Sequence, residues 1–315
     1  MTLAIGLWLS AMGARAAEDR VALNDVCALC HTTQAEQWSG SEHATAFTDA
    51  PFTAALAREP QAFCRGCHAP EQDPRLTEVT PASAIGVACV SCHVDDTAPV
   101  TVRDGHLALV DAVDCASCHE FGFPDDALRE HPLAMQRTAT EHRDSPAADQ
   151  SCASCHMERA TTGAHDHRFA VTRDAAVIGR SLDIAATRPT ATRIRVVLDA
   201  AAVGHAVPTG DLFRRLEVGA EVIDGSGRPA RRWLGRRFET RVDARGIALV
   251  QEVADDRVPA GGSREVVVEL ADAAGHDVRW WVRHQRVAFP RGRDPAAAVL
   301  DGETTIAEGV LAAAP

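Results

Sequence analysis

The chain has 315 residues, which is long enough for two domains of ordinary size. Its formal net charge is −12, and this acidity argues against binding to nucleic acid or to an anionic membrane surface. All 32 basic residues are arginine and tyrosine is absent, so chemistry that needs a lysine or tyrosine side chain is excluded.

The N-terminus carries a short apolar run, Leu3 to Met12, followed by Ala-Arg-Ala at 14–16. This pattern predicts a cleaved export signal over residues 1–16, although the basic residues that usually precede such a run are missing. The run is too short to cross a bilayer, and no other segment approaches the required length. We therefore expect an exported protein without a transmembrane span, in the periplasm or at the outer cell surface.

One pattern, C-x-x-C-H, recurs five times and uses all ten cysteines of the chain. The cysteines are Cys27, Cys30, Cys64, Cys67, Cys89, Cys92, Cys115, Cys118, Cys152 and Cys155. The histidines are His31, His68, His93, His119 and His156. In this pattern two thiols form thioether bonds to a porphyrin, and the adjacent histidine becomes the proximal iron ligand. The sequence therefore predicts five covalently bound haem c groups and a protein that handles electrons.

Other uses of C-x-x-C fit less well. A zinc site does not need a histidine after every second cysteine, and a redox dithiol needs one motif rather than five. Successive motifs begin 37, 25, 26 and 37 residues apart, which is too irregular for a solenoid. The segment that carries the five motifs has too few residues per haem to build a separate hydrophobic core around each one. We therefore expect the porphyrins themselves to form the core.

We therefore predict a pentahaem cytochrome c domain over residues 24–170, made of short helices and loops with little or no sheet. Helices are predicted over Gln34–Ala46, Pro51–Arg58 and Leu128–His142. Stretches rich in Asp and Pro between the motifs are expected to be loops.

After residue 170 the sequence alternates apolar and polar residues in short runs, separated by Gly-rich turn signals such as Asp224–Gly227. About seven short strands in this length predict an all-β antiparallel sandwich over residues 171–315. The predicted strands are Ser181–Thr187, Thr192–Ala200, Leu216–Ile223, Arg231–Val242, Val266–Leu270 and Val278–Phe289. No residues in this segment show catalytic spacing.

A haem iron takes a second axial ligand for outer-sphere electron transfer, or keeps an open position for catalysis. The chain has 14 histidines, so beyond the five proximal ones there are enough to give every iron a second imidazole. His276 and His284 lie in the predicted β-domain and are expected at the surface. The candidate distal ligands are His43, His106, His131, His142, His167 and His205.

Two stretches resemble multihaem cytochromes c, a superfamily that includes the tetrahaem electron carrier of ammonia oxidation, hydroxylamine oxidoreductase and octahaem tetrathionate reductase. They are the W-x-x-S-x-H stretch at 38–43, and the run C-x-x-C-H-M at 152–157 with its later H-x-F at 167–169. The resemblance implies that His43 ligates a neighbouring haem. It favours His167 over His165 as a distal ligand.

Residues 204–210, Gly-His-Ala-Val-Pro-Thr-Gly, are similar to a G-H-x-x-P-T-G element of exported multihaem cytochromes with a C-terminal β-domain. A tight turn would also need this Pro and Gly. The resemblance instead implies that His205 reaches back as an axial ligand and clamps the β-domain to the haem domain.

The sequence does not assign the remaining distal ligands. His106 ranks fourth among the candidates. The fifth ligand is undecided between His131 and His142. Met135 is a further alternative, and its thioether would raise the reduction potential of the iron it binds.

These features predict an electron relay between redox partners, whose docking faces are expected to be basic. A reductase or oxidase of a small nitrogen or sulfur compound at one open haem is the alternative. The missing lysine and tyrosine exclude lysine-ligated nitrite reduction and the tyrosine cross-link of hydroxylamine oxidation. A third hypothesis is a subunit of a cytochrome filament or larger complex.

Overall fold

The computed structural model describes most of the chain from residue 20 onward, and at 102–103 and 106–107 only the backbone. The described ranges are 20–94, 102–103, 106–107, 113–124, 133–161, 163–169, 175–224, 227–289 and 294–314. The predicted export signal, His131 and the side chain of His106 lie outside them. In the described part, no helix is both long and apolar enough to cross a bilayer.

The chain divides into two compact units. The first comprises Met1–Cys115 and Cys152–Val171, and the second comprises Ala116–Ser151 and Thr172–Pro315. The sequence prediction instead groups the segment Ala116–Ser151 with the haem motifs in a domain over 24–170. That grouping rests on cofactor content and stays a prediction.

The helices are short, as the sequence predicts. In chain order they are α1 (residues 20–30), α2 (Thr32–Ser39), α3 (Ala50–Arg58), α4 (Ala62–His68), α5 (Pro81–Ala84), α6 (Cys89–His93), α7 (Ala116–His119), α8 (Thr138–Arg143), α9 (Cys152–His156) and α10 (Ala175–Arg180). Local signals fix their ends: the Asp49 carboxylate accepts the Phe52 N–H at 3.1 Å and so caps α3, which has a proline in its first turn. The helix predicted over Gln34–Ala46 ends earlier, at Ser39, because Gly40 follows.

Two antiparallel sheets form the main body of the second unit. The strands of the chain are β1 (Val102–Arg103), β2 (His106–Leu107), β3 (Glu120–Gly122), β4 (Ala134–Arg137), β5 (Asp183–Thr190), β6 (Arg193–Asp199), β7 (Arg214–Val222), β8 (Ala230–Val242), β9 (Ala248–Asp255), β10 (Ser263–Glu269), β11 (Val278–Val287) and β12 (Leu300–Leu311). One sheet has the order β10-β6-β5, and the other has the order β12-β11-β7-β8-β9. Strands β1 and β2 pair with each other, as do β3 and β4.

Side chains from both large sheets meet in one apolar core. Ile194 of β6, Leu216 of β7, Val268 of β10 and Val282 of β11 belong to this core, and each is fully buried. Because both sheets contribute alternate residues to the same interior, the arrangement is an antiparallel sandwich. The predicted all-β fold of this part of the chain is therefore present.

The sequence analysis missed two strands of the five-stranded sheet, β9 and β12. Both lie at its edges. No residue of β12 is fully buried, because an edge strand buries less of its surface. Alternation is the main sequence signal for a strand, and it is weak where neither face is buried.

The helix predicted over Leu128–His142 is only partly present among the described residues. Residues Ala134–Arg137 form β4 and pair with β3, and only Thr138–Arg143 is helical. The Glu120 carboxylate accepts the Thr140 N–H at 3.0 Å and the Thr140 hydroxyl at 2.7 Å, which fixes the first turn of α8.

His284 is buried, and its predicted surface position is wrong, whereas His276 is exposed as expected. His284 pairs in register with Leu216 on β7 and has the same parity on β11 as the core residue Val282. Burial first, and then the charge of Arg214, lower the pKa of His284 to about 4, against a smaller opposing effect of Asp211.

This shift makes the second unit sensitive to acid. In the unfolded chain His284 takes up a proton near pH 6.5, but in the folded chain it does so only near pH 4. Between these values the unfolded state binds more protons, so the free energy of unfolding falls as pH falls, by about 3 kcal/mol in all. We expect urea unfolding of a His284→Gln variant to lack this loss between pH 7 and 4.

The matched control is His276→Gln. Its histidine is half exposed beside Asp224, at 2.7 Å, so this variant should keep the pH dependence of the parent. Equal pH slopes for the parent and His284→Gln would contradict the assignment.

Candidate haem sites

Four of the five C-x-x-C-H motifs include a short helix that places the reactive side chains together, whereas the first comprises the end of α1 and His31, which follows it. Residues 64–68 belong to α4, residues 89–93 to α6 and residues 152–156 to α9, while α7 carries 116–119. In a helix the second cysteine lies three residues and the histidine four residues after the first cysteine, so all three share one face. All ten cysteines are free of disulfides.

The third motif is held by polar contacts from distant parts of the first unit. The Asn24 side chain of α1 accepts the Cys89 N–H at 3.0 Å, and the Trp38 indole donates to the Val87 carbonyl at 2.8 Å. The Ser91 hydroxyl donates to the Glu71 carboxylate at 2.7 Å. Trp38, singled out by the sequence as part of W-x-x-S-x-H, therefore positions the entry to α6.

His43 stands at the same junction. Its carbonyl accepts the Val87 N–H at 2.9 Å, and its ring meets the edge of Phe169 with 4.3 Å between ring centres. Gly86 has a φ of +59°, and a Cβ atom there would lie 2.3 Å from the His43 carbonyl oxygen. Only glycine allows this approach.

Several histidines have one ring nitrogen hydrogen-bonded to a backbone carbonyl. Such a bond at Nδ1 fixes the ring orientation and leaves Nε2 available for a metal, which is the usual arrangement around a ligating histidine. The pairs are His68 with Ala46 (2.7 Å), His165 with Met157 (2.6 Å), His167 with His165 (2.9 Å) and His205 with Ala206 (3.1 Å). The family resemblance favours His167 over His165, but both rings have this kind of contact.

His93 and His167 lie with their ring centres 6.3 Å apart. Two imidazoles on opposite sides of one metal, each through a metal–nitrogen bond of about 2 Å, have ring centres about 6 Å apart. The Gln37 side chain accepts the His167 N–H at 2.9 Å and fixes its position. Burial, and then the neighbouring His167 and His31, lower the pKa of His93, which favours the neutral imidazole that binds iron.

Motifs that are distant in sequence approach each other within the first unit. Burial, and then the nearby Cys27, raise the pKa of the Cys89 thiol. Burial, and then Cys152, raise the pKa of the Cys115 thiol, which also has a hydrogen bond with Cys152. The first and third attachment sites are therefore neighbours, and Cys115 adjoins the start of the fifth.

In the second unit His142 lies against the G-H-x-x-P-T-G element. A Cβ atom on Gly204 would lie 2.8 Å from His142 Cδ2, so glycine is required for the ring to pack there. Glu141, its neighbour on α8, accepts the Ala206 N–H at 3.2 Å and the Thr209 hydroxyl at 2.8 Å. The structure thus brings two candidate ligands, His142 and His205, onto one hydrogen-bonded support.

His119 and His156 are exposed at the ends of α7 and α9. Met135 lies on β4, where its carbonyl accepts a hydrogen bond from Arg236 at 2.9 Å.

The residues of the first unit are consistent with haem groups occupying its interior. In its described part, two clusters of apolar side chains have three buried members each, around Phe52 and around Val90. The sandwich core, by contrast, has 18. Phe52 also stacks on His68 of the second motif, with 3.8 Å between parallel ring centres. A segment with so little apolar core, thiols outside any disulfide and oriented imidazoles suits a large apolar cofactor that bonds to both kinds of side chain.

The structure combines helical motifs that present two thiols and an imidazole with an antiparallel sandwich in one chain. This combination defines the class of protein to compare it with. A family model described as "Cytochrome c554 and c-prime" matches residues 26–94. A solved structure, a penta-heme cytochrome c552 from Thermochromatium tepidum, aligns with a TM-score of 0.64 over 91% of this chain and 98% of that one, at 19% identity. At so low an identity, the match shows a likeness of fold alone.

A curated relative is the multiheme cytochrome MtrA of Shewanella baltica, with 25% identity over 139 residues. The match covers 43% of this chain and 32% of the relative, so the chain spans about a third of that protein. These findings support the resemblance to multihaem cytochromes c, and to a pentahaem member among them.

Two residues in these sites escaped the sequence analysis. Glu141 has no motif, and only the hydrogen bonds to residues 206–209 reveal it. Arg65 lies inside the second motif and is 4% exposed. A charged residue at a variable position of C-x-x-C-H gives no signal of burial in the sequence.

Proposed function

We propose that this chain carries five covalently bound haem c groups and relays electrons between redox partners outside the cytoplasmic membrane. The observation that carries the proposal is the completeness of the attachment pattern: five motifs account for all ten cysteines, and none of these cysteines is in a disulfide. Haem iron alternates between ferric and ferrous states and so supplies one-electron redox chemistry.

The protein's own residues would hold and tune these groups. The histidine of each motif would be the proximal ligand, and His167 would complete the coordination of the iron bound by His93. The 6.3 Å ring spacing and the bond that fixes Nδ1 of His167 support this pair. His43 and His205 are the next distal ligands, while His106, His131 and His142 are candidates for the rest. Two imidazoles per iron favour low reduction potentials, because a thioether ligand is what raises them.

The proximity of attachment sites supports a relay rather than isolated redox centres. Cys27 lies close enough to Cys89, and Cys152 close enough to Cys115, to change the thiol pKa of its neighbour. Porphyrins anchored at such neighbouring sites would lie side by side. The acidic surface favours redox partners with basic docking faces, since charge complementarity speeds encounter.

Mass and spin state test the proposal. The mature protein should weigh more than its amino acids by five haem groups, one for each motif, and show a Soret band. Electron paramagnetic resonance of the oxidised protein should show only low-spin ferric signals. A colourless protein with the mass of the polypeptide alone would overturn the proposal. A stoichiometric high-spin signal that shifts with nitrite, sulfite or cyanide would favour the catalytic alternative.

A further inference from the structure

Arg65 is a buried arginine inside the second attachment motif. It lies on α4 directly after Cys64, and it is 4% exposed. Its Nη1 donates to the Pro74 carbonyl at 3.1 Å, and its Nε atom is buried without a hydrogen-bond partner in the described part of the chain. A guanidinium has five N–H donors and stays charged, so one carbonyl leaves most of its hydrogen-bonding capacity unused.

The carboxylates near Arg65 in sequence are engaged elsewhere. Glu71, itself buried, pairs with Arg20 and accepts the Ser91 hydroxyl. Asp73 pairs with Arg75 at 2.5 Å. Among the described residues, no ion pair is formed by Arg65. An unpaired charge this deep in a protein costs several kcal/mol, so an anion is needed to balance it.

We infer that Arg65 pairs with a propionate of a bound haem, an inference that rests on the proposed function. Each haem brings two carboxylates, and a guanidinium is the side chain best suited to hold a carboxylate through two parallel hydrogen bonds. The helix that carries Arg65 also carries Cys67 and His68, so the guanidinium stands beside an attachment site. Arg65 is a positioning residue, because it acts on the iron through the propionate.

The charge of Arg65 has a measurable consequence. A fixed positive charge near a haem favours the ferrous state, which carries one positive charge less than the ferric state. In an Arg65→Gln variant we expect one haem to become about tenfold harder to reduce, a downward shift of about 59 mV for a one-electron couple. Potentiometric titration followed by visible spectra would resolve this shift. Arg65→Lys keeps the charge and should remain near the parent.

The matched control is Arg75→Gln, in the same segment, whose side chain is 84% exposed and paired with Asp73. It should leave all potentials unchanged. Haem content per chain is measured first in the parent and in every variant. A parent without haem would refute the proposed function, and this outcome is distinct from an unchanged potential in a haem-loaded variant. Arg65→Gln with full haem content and unaltered potentials would overturn the inference.

An experimental structure of the haem-loaded parent gives a second test that depends on no variant. The inference requires a propionate oxygen within hydrogen-bond distance of the Arg65 guanidinium. Pairing with a protein carboxylate or with water alone would overturn it.

Discussion

Replacing His167 with alanine is expected to turn one haem of the oxidised protein from low-spin to high-spin and to leave the others unchanged. The His93 and His167 rings have the spacing of two ligands on one metal, and Gln37 and the His165 carbonyl hold His167 in place. Removing an imidazole leaves that iron five-coordinate, or with water as a weak sixth ligand. Electron paramagnetic resonance and the high-spin charge-transfer band would count the affected haems.

The companion variant His165→Ala separates the two neighbouring histidines. The Nδ1 of His165 is also hydrogen-bonded to a carbonyl, that of Met157 at 2.6 Å. The orientation of the imidazole ring therefore does not by itself distinguish His165 from His167. If His167 is the ligand, His165→Ala keeps the low-spin spectrum. The reverse result, with a spin change only in His165→Ala, would assign the ligand to His165 and contradict the sequence-based preference.

The sequence alone predicts a candidate site where the reactive residues are close together in the chain. C-x-x-C-H places both thiols and the proximal histidine within five residues, so one helical turn assembles them whatever the rest of the fold does. The sandwich was also predictable, because β6, β7, β10 and β11 alternate apolar and polar residues around one core. The edge strands β9 and β12 lack that alternation and were missed.

The distal positions depend on contacts between residues far apart in the chain. His167 reaches His93 only because the segment after α9 returns to α2, where Gln37 holds it. His284 is a different case: its alternation with Val282 on β11 indicates the inner face, whereas the usual exposure of histidine indicates the surface, and the structure follows the alternation. A histidine alone does not reveal whether it is buried, exposed or a ligand.

Glu141 should contribute strongly to the stability of the second unit. Its carboxylate accepts a hydrogen bond from Arg257 at 2.5 Å and two more from residues 206 and 209, and Arg257 is almost fully buried. Although burial raises it, the hydrogen bonds and charge of Arg257 lower the pKa of Asp255 to about 2, so Arg257 keeps one anion when Glu141 is lost. We expect Glu141→Ala to lower the free energy of unfolding by about 3 kcal/mol, as when one partner of a buried pair is removed.

Urea unfolding followed by circular dichroism would measure this loss, with Glu265→Ala as the control. Glu265 pairs with Arg195 on an exposed face of the sandwich, so its removal should cost less than about 1 kcal/mol. Equal losses in the two variants would show that Glu141 has no special role.

The same substitution tests whether the support of His205 matters for the haem. Glu141 holds the backbone on the C-terminal side of His205 through the N–H of Ala206 and the hydroxyl of Thr209. If His205 ligates an iron, His205→Ala converts one haem fully to high-spin, and Glu141→Ala converts a fraction of the same haem because the ligand is less well held. A low-spin spectrum in both variants would remove His205 from the ligand set and leave Glu141 a role in stability alone.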